Sequence, residues 1–147
     1  MTLRDRISHI FSIKETPHRI SVAFALGVFV GMSPFLGVHT LLGIAFSYIF
    51  RLNKMVTLIG VYVTNPWTII PIYTFGTWTG TKLLGINEVL PEIDWAHISF
   101  LGLMEKFSHL VKPFVVGTMS IGTVAALISY ILIFNAVKKA HENSSDR

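Results

Sequence analysis

Hydrophobic positions in this chain come in long blocks separated by short polar stretches, not at one steady helical period. From Ile20 to Phe50 no residue carries a charge at neutral pH, and His39 is the only one that could readily gain one. Met55 to Thr81 is likewise uncharged, and so is Phe114 to Val137. A helix needs about 20 mostly apolar residues to cross roughly 30 Å of hydrocarbon, and all three blocks are long enough. Ahead of them, residues 1–16 set Leu3, Ile7, Ile10 and Phe11 at helical spacing, with Arg4, Asp5, Arg6 and His9 elsewhere around the wheel. That pattern predicts a short amphipathic helix lying in a membrane interface, with a plain solvated helix as the alternative.

Two of the blocks are broken. The segment 20–50 is interrupted by Gly31-Met32-Ser33-Pro34-Phe35-Leu36-Gly37, and the segment 55–81 by Thr64-Asn65-Pro66 and again by Pro71. Thr16-Pro17 supplies an N-cap and a first-turn proline for the first of them. Arg51-Leu52-Asn53-Lys54 is a polar turn between the two. Residues 82–112 are mixed and predict a loop plus a short amphipathic helix at the surface. Residues 114–137 predict an uninterrupted transmembrane helix, stopped by Lys138 and Lys139, with a disordered polar tail over 140–147. The pattern as a whole predicts an all-α, polytopic membrane protein with a single membrane domain over 17–139.

Composition agrees. Of 147 residues, 52% are hydrophobic and only 14% charged, about half the charge of an ordinary soluble domain. Thr2 to Arg19 alternates charge with apolar residues and lacks a small-residue cleavage site, so no cleavable signal peptide is expected. Cysteine is absent, which excludes disulfides and thiolate metal sites. The net charge of +4 needs no nucleic acid, because the basic residues sit beside the apolar blocks, where anionic headgroups would meet them. Four Lys and Arg precede the first block, two lie in the first turn and three in the C-terminal tail; the three in 82–112 are outweighed by four acids. Both termini and the first turn are therefore expected in the cytoplasm. This orientation makes 20–50 a re-entrant hairpin, each half of about 15 residues and roughly 22 Å, too short to cross comfortably. A single long kinked span is the alternative.

The breaks carry the candidate chemistry. Ser33-Pro34 and Asn65-Pro66 each place a good N-cap before a proline, so each is expected to start a helix inside an apolar block. Helix starts offer N–H groups and a positive dipole end to an anion, and paired broken helices are the pattern of a transporter's midplane site. The candidate anion-binding residues are Ser33, Pro34, Gly37, His39, Thr64, Asn65 and Pro66. Arg19, Arg51 and Lys54 are candidates for headgroup contact. Both breaks read equally as packing kinks, and His39 as a neutral imidazole bonded across helices. Gly27-x-x-x-Gly31 and Gly76-x-x-x-Gly80 allow close helix approach, within the chain sooner than between chains. No Ser-His-acid set, metal-ligand pair or phosphate loop appears, so no enzyme, metal or cofactor is expected.

Several of these clusters, taken in order, resemble a bacterial membrane-protein family catalogued as domain of unknown function twenty sixty-two. They are Thr16-Pro17 before Ala23-x-x-x-Gly27-Val28-Phe29-Val30-Gly31, then Ser33-Pro34-Phe35-x-Gly37-x-His39-Thr40, Arg51-x-Asn53, Asn65-Pro66, Pro71-x-Tyr73, Gly80 and Pro113-Phe114-x-x-Gly117. The resemblance runs from about Thr16 to Lys139. It implies a bacterial inner-membrane protein, fused in some members to glycosyltransferase modules, and supplies no settled activity. Together these readings predict a small transport or lipid-handling protein, binding or translocating an anionic lipid or polyprenyl-phosphate carrier and assembling as a homo-oligomer. The rival expectation is a non-transporting scaffold or accessory subunit for an envelope glycosyltransferase.

Overall fold

The computed structural model of the chain describes residues 15–35, 37–87 and 99–145. Most of the expected interfacial helix over 1–16, and residues 88–98 of the expected surface loop, lie outside the described residues. The described residues form five α-helices: α1 Pro17–Met32, α2 His39–Ile49, α3 Lys54–Val61, α4 Pro66–Leu83 and α5 Phe100–Ser145.

Three of the helix starts follow from the capping residues in the sequence. The Thr16 hydroxyl accepts from the Arg19 N–H, with Pro17 in the first turn. Asn53 Oδ1 accepts from Met55 N at 3.0 Å and Val56 N at 3.3 Å. At α4, Asn65 Oδ1 accepts from Trp67 N at 2.9 Å and Thr68 N at 3.0 Å, and the Thr68 hydroxyl accepts the Asn65 N–H at 2.9 Å. Asn65 and Thr68 thus offer side-chain acceptors to three N–H groups at the helix start. Pro71 does not break α4, contrary to the sequence expectation. It removes one backbone donor, and the helix continues because its neighbours hold the turns on either side.

Chain direction follows from the contacts. α1 is central, packing on α3, α5 and, more lightly, α2. Ile20, Ala23, Val56 and Val137 share one small buried cluster, which brings together the start of α1, the start of α3 and the far end of α5. At the other end of α1, Gly31 meets Val61 and Thr64, and Phe29 and Met32 meet Gly122. α3 therefore runs alongside α1 in the same direction, and α5 runs against it. After the loop 33–38, α2 returns towards the start of α1: Gly43 packs on Val61, and the Arg19 guanidinium donates to the Arg51 carbonyl oxygen. The block 20–50 is a folded-back hairpin, not one kinked rod. The second block bends by 68° between α3 and α4.

Glycines make the two tight crossings. A Cβ on Gly27 would lie 2.9 Å from Gly60 Cα, and one on Gly60 would lie 3.0 Å from Gly27 Cα, so α1 and α3 touch backbone to backbone. α4 and α5 cross in the same way, Gly76 and Gly80 against Gly117 and Pro113. Both small-residue motifs seen in the sequence are thus used inside the chain.

α5 is longer than expected. It runs through Pro113 without interruption, so the surface helix expected before residue 112 and the apolar helix 114–137 are one element. It continues to Ser145, where a disordered tail was expected. Lys, Ala and Glu are good helix formers, and extending an existing helix by one residue fixes one residue per new hydrogen bond. Its portion Phe107–Asn143 is long and apolar enough to cross a membrane, and the bent pair α3–α4 passes the same test if taken as one span. Buried hydrophobic residues are few and mostly small, whereas Leu127, Ile131 and Leu132 on α5 and Leu41, Trp67 and Ile70 elsewhere are exposed.

Candidate functional site

The end of α1 and the α3–α4 break form one polar junction within this apolar molecule. Ser33 is 4% exposed and Thr64 5% exposed. Ser33 does not start a helix, which corrects the sequence expectation. It ends α1: its backbone N–H bonds the Val30 carbonyl, and its hydroxyl donates to the same oxygen at 2.6 Å. The reason is Pro34, whose ring drives the preceding residue into extended backbone; Ser33 sits at φ −67°, ψ 157°. Pro34 lies in the loop, and Gly37 takes φ +91°, a conformation open chiefly to glycine.

His39 is therefore the first residue of α2, not a turn and a half into a helix begun at Pro34. Val38 is the N-cap and no side chain caps α2. Instead His39 Nδ1 accepts the Gly37 N–H at 3.3 Å, which puts the proton of the neutral ring on Nε2, where it meets no acceptor among the described residues. The N–H groups of His39 and Leu41 meet no acceptor among the described residues. Gly43 sits on Val61, so the start of α2, about 6 Å further along its axis, reaches the level of the α3–α4 break.

Two features of the junction were not legible from sequence. Tyr73 ties α4 to the end of α1, its hydroxyl donating to the Ser33 carbonyl oxygen at 2.9 Å while its ring packs edge-on to Phe114 of α5 at 4.9 Å. In the sequence this tyrosine figures only in the Pro71-x-Tyr73 cluster. The second feature is the Thr64 hydroxyl, which is buried without a hydrogen-bond partner, 3.1 Å from where a Gly31 Cβ would be. It stands out because most Ser and Thr hydroxyls along these helices donate to carbonyls three or four residues back, as those of Ser21, Thr57, Thr77 and Thr118 do.

Asn65 and Pro66 behave differently from Ser33 and Pro34. Both start α4 as expected, but both are exposed, and the Asn65 side chain itself occupies the Trp67 and Thr68 N–H groups. An anion approaching there would have to displace the cap. Of the two expected anion-binding helix starts, the α4 start is closed by its own sequence, and the other lies at His39 in place of Pro34. The junction gathers Ser33, Thr64 and Tyr73 directly.

At the opposite end, Arg19, Arg51 and Lys54 do cluster. Arg19 bonds the Arg51 carbonyl, and the Lys54 ammonium lies 5.1 Å from the centre of the Tyr48 ring. Val137 in the shared cluster brings Lys138 and Lys139 to the same end. Among the described residues no group of three His, Asp or Glu side chains converges as metal ligands would.

Residues 1–145 match a family described as an uncharacterized protein conserved in bacteria (DUF2062), and the chain belongs to that family. No curated protein and no solved structure matches it.

Proposed function

We propose that this chain is a multi-pass protein of the bacterial cytoplasmic membrane that handles an anionic lipid or polyprenyl-phosphate carrier, with the junction of its helix breaks as the polar site. The observation that carries the reading is the Thr64 hydroxyl, buried and unpartnered where the breaks meet in a molecule with an apolar exterior. A polar atom left so costs about 1–3 kcal/mol, a cost a ligand oxygen would offset. The first-turn N–H groups of α2 and His39 Nε2 supply further donors at the same level.

Lengths support a placement in the bilayer. Val137 lies level with Ile20 at the basic end, and Pro113 is about 36 Å along α5 from it, enough for the roughly 30 Å hydrocarbon core. The basic end, with Arg19, Arg51, Lys54, Lys138 and Lys139, faces the cytoplasm under the positive-inside rule. The hairpin α1–α2 is then re-entrant, α3–α4 crosses outward and α5 returns. A scaffold would be expected to present glycine faces to a partner. The close-packing glycines on α1, α3, α4 and α5 are instead spent on contacts within the chain, which favours the lipid-handling reading. The remaining exposed apolar faces leave room for assembly with further copies.

The test is translocation of fluorescent phosphatidylglycerol in vesicles carrying the purified chain, read by quenching from outside. Thr64→Val and His39→Ala are expected to abolish translocation while helicity is kept and stability is not lowered. Unimpaired translocation in both overturns the site, and inactivity of the unsubstituted chain overturns the function.

A further inference from the structure

A second lipid contact is legible on the other side of α1. Val22, Ala25, Leu26 and Phe29 face Thr123, Ala126, Leu127 and Tyr130 of α5 across a groove of about 320 Å³, open on its outer side. Its polar atoms are spoken for: the Thr123 hydroxyl donates to the Met119 carbonyl at 2.8 Å, and the Tyr130 hydroxyl bonds His18 Nδ1 at 2.8 Å. Nothing there recognises a polar ligand. The volume is roughly twice the ~150 Å³ of an apolar cavity that accepts one benzene ring, which corresponds to about a dozen methylene-sized groups. Towards one end Phe29 and Met32 face Gly122, where an added Cβ would meet them at 3.4–3.6 Å. The other ends at the His18–Tyr130 pair, beside exposed Arg19 and the end of the molecule that carries Arg51, Lys138 and Lys139.

We infer that this groove holds one acyl chain of an anionic phospholipid, whose phosphate lies at His18 and Arg19. The argument is one of complementarity: an apolar groove of chain-like size ends where Arg19, Arg51, Lys54, Lys138 and Lys139 outnumber Glu15 and Glu142, and no ion pair joins them among the described residues. The site is distinct from the junction at Thr64, on another face of α1. It rests on the membrane placement proposed above, and on nothing in the translocation reading.

The experiment uses the full chain reconstituted in vesicles of equal phosphatidylglycerol and phosphatidylcholine, then extracted in mild detergent, with retained lipid counted by native mass spectrometry. One phosphatidylglycerol per chain is expected in preference to phosphatidylcholine. Ala126→Phe and Ala25→Leu fill the groove and are expected to lower retention about tenfold each, at unchanged helicity. Arg19→Gln is expected to keep a lipid but lose the preference for phosphatidylglycerol. Equal retention in both filled-groove variants overturns the proposal, as does an unsubstituted chain that shows no preference. Loss of oligomers at unchanged lipid retention overturns it in favour of a second copy in the groove. Failure of the unsubstituted chain to enter vesicles would instead overturn the membrane placement itself.

Discussion

Adding the same methyl group at two positions of one helix separates the packing argument from everything else. In Gly117→Ala the new carbon would lie 2.6 Å from the Gly76 carbonyl carbon and 2.7 Å from the Gly80 nitrogen, and closer still to the Gly76 oxygen. Carbon atoms rest at about 3.5–4.0 Å, and a gap of about 1 Å forfeits up to half the dispersion energy of each pair across a contact. All the obstructing atoms are backbone, so no side chain can turn aside and α4 must move off α5. Overpacking of this kind costs about 1–3 kcal/mol, at the upper end when backbone is displaced. In Gly122→Ala the nearest atoms are Met32 Cβ at 3.4 Å and Phe29 Cδ2 at 3.6 Å, an ordinary contact. Both substitutions regain up to about 1 kcal/mol of helix propensity. Gly117→Ala should therefore lose about 1–2 kcal/mol net, while Gly122→Ala should hold or gain slightly. The assay is unfolding in mixed micelles titrated with dodecyl sulfate and followed by circular dichroism. Midpoints that give the two variants stabilities within about 0.5 kcal/mol of each other would refute the backbone crossing, because the predicted gap is several times larger.

Three further outcomes are expected. Thr64→Val removes a buried unpartnered hydroxyl at nearly constant volume and should raise stability by about 1 kcal/mol in the same titration, whereas Asn65→Ala removes a cap and should lower it by about 1 kcal/mol. Because the chain has no cysteine, single cysteines report sidedness cleanly: Lys54→Cys and Glu142→Cys should label from the cytoplasmic side and Gly85→Cys from the other, and labelling of all three from one side would end the proposed topology. Arg51→Gly should stabilise the fold by about 1 kcal/mol through relief of its left-handed backbone, and weaken adhesion to anionic vesicles in a flotation assay.

The elements were legible where one residue decides local geometry. Thr16 and Asn65 marked two helix starts because each has a side-chain oxygen within reach of the N–H groups that follow it, and Asn53, read only as part of a polar turn, caps a third in the same way. Ser33-Pro34 carries the same letters and misled, because the rule that proline drives the preceding residue to extended backbone serves a helix end as well as a helix start. Only Gly37, in left-handed backbone four residues on, decides between them, by delaying the next helix to His39. What sequence could not reach was long-range. That Tyr73 bonds Ser33, or that Thr64 is left without a partner, depends on how a 68° bend and a folded-back hairpin meet, and no local spacing encodes that meeting.

Two helix ends show where local preference and use diverge. α4 ends at Gly85 with φ +66°, the Ile86 N–H bonding the Thr81 carbonyl and the Gly85 N–H that of Lys82. α2 ends in the same motif, with Leu52 N–H on Ser47 and Arg51 N–H on Tyr48, but the residue at φ +52° is Arg51. Glycine fits that position without strain, whereas a side chain there costs about 1–2 kcal/mol. The cost is incurred at the basic end and avoided at the other, with the same hydrogen bonds in both. Packing does not explain it, since Arg51 is exposed and its carbonyl, which receives the Arg19 guanidinium, would be kept by glycine. What glycine could not supply is the guanidinium of Arg51 itself. A strained cation beside Arg19, near the mouth of an apolar groove, is the arrangement expected if that end of the fold is selected for its contact with anionic headgroups, above what it contributes to stability.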